Sequence, residues 1–82
     1  MSETAEFIAG KIKAIRSYRG LSQRAVAEAL NVSLRTYQGW EKDFTSSVDN
    51  LIKICRVFEV EPLDFLEPLL YHNTLTPEHI DI

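Results

Sequence analysis

Five residues between positions 34 and 42 could act together. Leu34, Arg35, Gln38, Gly39 and Lys42 fall on one face of a short segment read as helix. Arg and Gln can hydrogen-bond in pairs to a purine edge, Arg to guanine and Gln to adenine. The other face carries Tyr37 and, three residues on, Trp40. A short helix anchored by two aromatics, with an outer face of this kind, fits the major groove of a duplex.

The flanking residues supply the means to hold such a helix. Ser22 is a natural N-cap, and good helix formers follow, with Val26, Ala27 and Leu30 on one face. Asn31 tolerates the left-handed conformation that ends a helix, though less easily than Gly. Ser33 then caps a second helix, predicted to run to about Asp43. Val32 precedes that cap and Tyr37 takes the fourth helical position, the spacing of a hydrophobic staple.

Other chemistry is not indicated. No glycine-rich phosphate loop, HExxH, paired-cysteine motif or GxSxG occurs in the chain. A helical domain of 82 residues also offers little space for an enclosed pocket. No enzyme activity, cofactor or metal is therefore expected. His72 and His79 lack the carboxylate-and-His spacing of a zinc site and are read as solvent-exposed. The lone Cys55 cannot form an internal disulfide; it is read as core, and suits a reducing cytoplasm.

Over Gly20 to Lys42, GLSQRAVAEALNVSLRTYQGWEK, the chain resembles the helix-turn-helix of the Cro/phage-repressor (XRE) family. The shared pattern is G-[LM]-[ST]-Q, an Ala at the packed position, then V-S and T-aromatic-x-x-W-E. The resemblance implies an all-α fold, a compact five-helix lambda-repressor-like domain with the helix-turn-helix at helices two and three. It also implies a sequence-specific double-stranded DNA-binding transcriptional regulator, a repressor acting as a homodimer on a near-palindromic operator. Base-edge contacts then fall on Ser33, Leu34, Arg35, Gln38 and Gly39, with Arg35 reading a guanine and Leu34 touching a thymine methyl. Phosphate contacts fall on Gln23, Arg19, Arg24 and Lys42. Arg16 is expected to pair with Glu41, a solvated charge being the plainer alternative. Two residues depart from the family pattern: Asn31 replaces the usual Gly of the turn, and Gly39 stands where a DNA-reading side chain is common.

The remaining segments read as support. Thr4 to Tyr18 is a first helix, capped by Thr4, with Phe7, Ile8, Ile12 and Ile15 at helical spacing and Gly20 as its stop. Phe44 is expected to tuck against the core. Ser46 or Ser47 caps a central fourth helix carrying Leu51, Ile52, Ile54, Cys55, Val57 and Phe58. Pro62 opens a fifth helix, which Pro68 should end or kink near Glu67. In the family this region commonly forms the dimer contact, here Leu63, Leu66, Leu69, Leu70 and Tyr71; packing within one monomer is the alternative. Residues 1–71 are thus read as the DNA-binding domain with its dimerisation segment, and 72–82 as a polar tail, flexible or part of the dimer contact.

Charge is unevenly spread. Residues 11–42 hold seven bases against two acids, while 43–82 hold eight acids against two bases, within a net charge of −3. Screening over roughly 8 Å makes the local field matter more than the total. No apolar run is long enough for a membrane span, and the N-terminal residues lack a basic-then-apolar signal pattern. The acidic second half favours an alternative role: an antitoxin or adaptor whose partner is a toxin or another regulator.

Overall fold

A computed structural model of the protein describes the backbone of residues 2–72 and the side chains of residues 2–67. Five helices follow one another: α1 Glu3–Tyr18, α2 Gln23–Leu30, α3 Leu34–Trp40, α4 Val48–Phe58 and α5 Pro62–His72. No strand forms among the described residues.

The helices start where serines allow it. Ser2, Ser22, Ser33 and Ser47 precede α1 to α4, and each side chain accepts the backbone N–H three residues on. Three of the helices end in a left-handed residue: Gly20 (φ 70°), Asn31 (φ 60°) and Glu59 (φ 58°). In each case the next N–H reaches back five residues, Leu21 to Arg16, Val32 to Ala27 and Val60 to Cys55, at 2.9–3.1 Å. These are Schellman closures, which satisfy carbonyls that the helix end would leave unpaired.

Burial follows the apolar faces. Ile12 of α1, Val26 of α2, Tyr37 of α3, Ile54, Cys55 and Phe58 of α4, and Phe65 of α5 are the largest fully buried side chains. The α2–α3 pair packs through α2 on α4, while α1, α4 and α5 pack on one another. Phe44 is buried, edge-on to Trp40 at 5.7 Å, and its N–H donates to the Ala5 carbonyl at 3.2 Å. That bond ties the loop after α3 to α1. Cys55 lies in the core, where burial pushes its thiol up.

Three boundaries differ from expectation. Ser2, not Thr4, caps α1, which places Glu3 and Glu6 in the first turn, at the positive end of the helix dipole. The third helix stops at Trp40 rather than near Asp43. Glu41 and Lys42 form a tightened turn in which the Lys42 N–H bonds the Gly39 carbonyl at 3.0 Å. Pro68 does not end α5, which continues to His72. Pro68 deprives only the Asp64 carbonyl of an intrahelical donor, and Asp64 is exposed, so water can replace the missing N–H. The sequence tail from residue 73 onward lies outside the described residues.

Glu59 is the least suited of the three left-handed residues. It has a Cβ, and its charge sits at the negative end of α4. Its pair with Arg19, 3.3 Å and exposed, offsets little of that cost. Glu59→Gly should therefore stabilise the fold by about 1 kcal/mol. A thermal melt should show this as a rise of roughly 4–8 °C.

Candidate nucleic-acid interface

Helix α3 has only 7 residues, too few to be stable alone. Tertiary contacts must fix it. Tyr37 is fully buried and packs edge-on to Trp40 at 6.4 Å. Val32, before the Ser33 cap, is partly buried against the same core. Tyr37 is the deeper anchor, for Trp40 is only partly buried.

Beneath α3 lies a carboxylate with little access to solvent, Glu41. Its oxygens receive four hydrogen bonds. Oε2 accepts from Arg16 Nε and the Tyr37 hydroxyl, both at 2.5 Å. Oε1 accepts from Arg16 Nη2 at 3.2 Å and Gln23 Nε2 at 3.0 Å. Arg16 Nη1 also donates to the Leu21 carbonyl at 2.9 Å, where α1 turns into α2. The cluster thus joins α1, α2 and α3, and the Arg16–Glu41 pair forms as the resemblance implied. Burial alone would push the Glu41 carboxyl up, but the bonds from Arg16, Tyr37 and Gln23 together hold it below its usual value. The hydrogen bond to Glu41 in turn holds the Arg16 guanidinium above its own. Burial pushes the Tyr37 phenol far up, so it stays a donor.

Gln23 links this cluster to the surface. Its Nε2 donates to Glu41, and its Oε1 accepts from Gln38 Nε2 at 3.1 Å. Gln38, Arg35, Ser33 and Gly39 are exposed on α3 and its cap, with Leu34 half-buried among them. Arg35 forms no ion pair among the described residues. The Ser33 hydroxyl is engaged within the helix, accepting the Thr36 N–H and donating to Thr36 Oγ1.

Lys13 of α1, Gln23, Gln38, Glu41 and Lys42 line an open groove of about 260 Å³. That is below the size usual for a small-molecule pocket. Of the residues expected to meet phosphate, Gln23 and Lys42 line this groove. Arg24 is exposed at the start of α2, and Arg19 is paired with Glu59 instead. Sequence reading missed Lys13 here. It precedes Arg16 by three residues, so the two share a face of α1; pairing Arg16 with Glu41 turns that face toward α3.

Arg16→Ala should destabilise the fold by about 3 kcal/mol, because it leaves a buried carboxylate without its cation. The sign of the pH effect follows from the lowered Glu41 pKa. Its contribution is complete above the unfolded carboxyl value, about 4.3, and is lost as pH falls through the folded one. Urea melts of wild type at decreasing pH should show that acid-side loss, and Glu41→Gln should remove its share of it.

No curated protein and no solved structure matches the chain. A protein-family model described as Helix-turn-helix matches residues 12–65, from the buried Ile12 of α1 to the buried Phe65 of α5. With the capped α2–α3 unit, its buried Tyr37 and its exposed polar face, this match places the chain in the XRE (Cro/phage-repressor-like) family of helix-turn-helix DNA-binding regulators.

Proposed function

We propose that the chain is a transcriptional repressor that binds, as a homodimer, a near-palindromic operator in double-stranded DNA. The observation that carries this reading is the exposed α3 face, with Arg35 unpaired among the described residues and Gln38 oriented by Gln23. Helix α3 enters the major groove. Arg35 reads a guanine, Gln38 an adenine, and Leu34 a thymine methyl, with Ser33 and Gly39 at the edges of the contact. Gln23, Lys42, Arg24 and Arg19 meet phosphates, Arg19 by releasing its exposed pair with Glu59. Two-fold symmetry sets half-site centres roughly 34 Å apart, or a multiple of it.

The partner copy docks on α5. Leu63 there is 74% exposed, a large apolar side chain with no cover in the monomer, and Leu66 is only partly buried. Leu69, Leu70 and Tyr71 complete this assignment, and their side chains lie outside the described residues. Residues 1–71 form the DNA-binding and dimerisation unit, with 72–82 as its tail. The acidic residues of 43–82 favour a second reading, an antitoxin or adaptor binding a basic protein partner. Retention on heparin and a gel shift with the DNA upstream of its own gene support the first reading; loss of both favours the second.

Arg35→Ala should cost about 1–3 kcal/mol at one base pair per half-site and relax preference there. Lys42→Ala should weaken all sequences alike and flatten the salt dependence. Equal effects of the two mutants on operator and random duplexes would refute the direct-readout assignment.

Gly39 offers an independent check. A Cβ built there meets nothing within 4 Å, so the fold does not require glycine at this exposed helical site. Gly39→Ala should stabilise the free protein by about 1 kcal/mol. If DNA approaches the backbone at this point, the same variant should bind its operator more weakly. Calorimetric melts and anisotropy titrations on one preparation would read both effects.

A further inference from the structure

The groove between α1 and the end of α3 brings together residues from four places in the chain: Lys13, Gln23, Gln38 and the adjacent Glu41 and Lys42. Lys13 and Lys42 are exposed, and neither forms an ion pair among the described residues. The acid in the lining, Glu41, is neutralised by Arg16, and each of its oxygens already accepts two hydrogen bonds. The groove is therefore lined by two lysines that form no ion pair among the described residues, by two amides and by a neutralised acid.

The other two lysines differ. Lys11 lies over the Phe7 and Phe65 rings, at 5.9 and 5.8 Å from their centroids, and is held by them. Lys53 is exposed on α4 and does not line the groove. Two lysines lining an open, polar groove suit a phosphate, which lysine binds as a point charge. The groove also borders Gln38, whose neighbours on α3 face the bases in the reading above, so a backbone phosphate and a base edge would be met side by side.

We propose that Lys13, from the first helix, pairs with Lys42 to hold one backbone phosphodiester of the DNA in this groove. The claim rests on the DNA-binding reading and adds α1 to the contact surface. It also explains how α3 is held in register: the same phosphate is gripped from α1 and from the turn that closes α3, across the Gln23–Gln38 bridge.

The test uses the whole chain and a random-sequence duplex, with affinity followed by fluorescence anisotropy over a range of salt. Lys13→Gln should make the slope of log K against log salt shallower by about 0.9 per bound chain, the effect of one lost phosphate contact. Lys13→Arg should restore it, and Lys53→Gln, the charge-matched control, should leave the slope unchanged. Thermal melts of all variants should match wild type, since both lysines are exposed. A wild-type slope in Lys13→Gln overturns the proposal while leaving DNA binding intact. Equal changes in the Lys13 and Lys53 variants also overturn it, since a diffuse field would then explain both. A saturable shift of the Gln23 and Gln38 amide resonances with inorganic phosphate, at constant ionic strength, would assign the groove to free phosphate instead. A wild type that binds no duplex at low salt would sink this claim and the DNA reading together.

Discussion

A single carboxylate governs how the reading surface is held. Removing an anion such as Glu41 from water costs several kcal/mol even after relaxation. A hydrogen bond to a charged group returns about 1.5–3 kcal/mol. Glu41 has four of them, two from one guanidinium, and so stays ionised at near-complete burial. The donors come from α1, α2 and α3. Any rotation of α3 about its axis would carry Glu41 away from Arg16 and Gln23, and any sliding of α1 would break the bonds from Arg16. Apolar packing alone would tolerate small rotations; a carboxylate with all its acceptor positions filled does not.

This matters because the two helices of the helix-turn-helix unit are short. Helices α2 and α3 have 8 and 7 residues, well under the length at which a helix persists by itself. Their ends are fixed by local devices, serine caps and a left-handed Asn31, and their mutual angle by Val32, Tyr37 and the Glu41 cluster. The division of labour is physical. Caps set where each helix starts and stops, at about 1 kcal/mol apiece. Buried contacts between helices set orientation. A groove-reading helix needs both, since a binding constellation must be held within about 0.5 Å of its productive geometry.

Legibility in the sequence follows the same division. Ser22 and Ser33, the cap at Ser46 or Ser47 and the turn at Asn31 were readable because each depends on a few adjacent residues. The start at Ser2 was missed because Thr4 is an equally good cap locally, and what separates them is an extra half-turn of helix. Of the two outcomes expected at Pro68, an end or a kink, the end does not occur, because it assumes that the orphaned carbonyl has no other partner. Asp64 is exposed, so that assumption fails. Of the site, the outer face of α3 followed from helical period, and the Arg16–Glu41 pair from family resemblance. The Gln23–Glu41 and Gln23–Gln38 bonds and the approach of Lys13 depend on how helices distant in sequence pack, and no local pattern encodes that.

The bridge through Gln23 couples the buried cluster to the exposed face of α3. An amide can donate from nitrogen and accept at oxygen but cannot exchange those roles without flipping. With Nε2 committed to the Glu41 anion, Gln23 must present Oε1 to Gln38, and Gln38 must answer with its own Nε2. Gln38 Oε1 is thereby turned away from Gln23. The direction in which a surface glutamine offers its acceptor is thus dictated by the charge state of a buried carboxylate two residues removed along a hydrogen-bond chain. A flipped Gln23 would set two N–H donors against each other and its oxygen against an anion, so the network admits one arrangement. In the proposed reading, where Gln38 meets a base, part of the side-chain entropy that an isolated surface glutamine loses on binding has been lost before the duplex arrives.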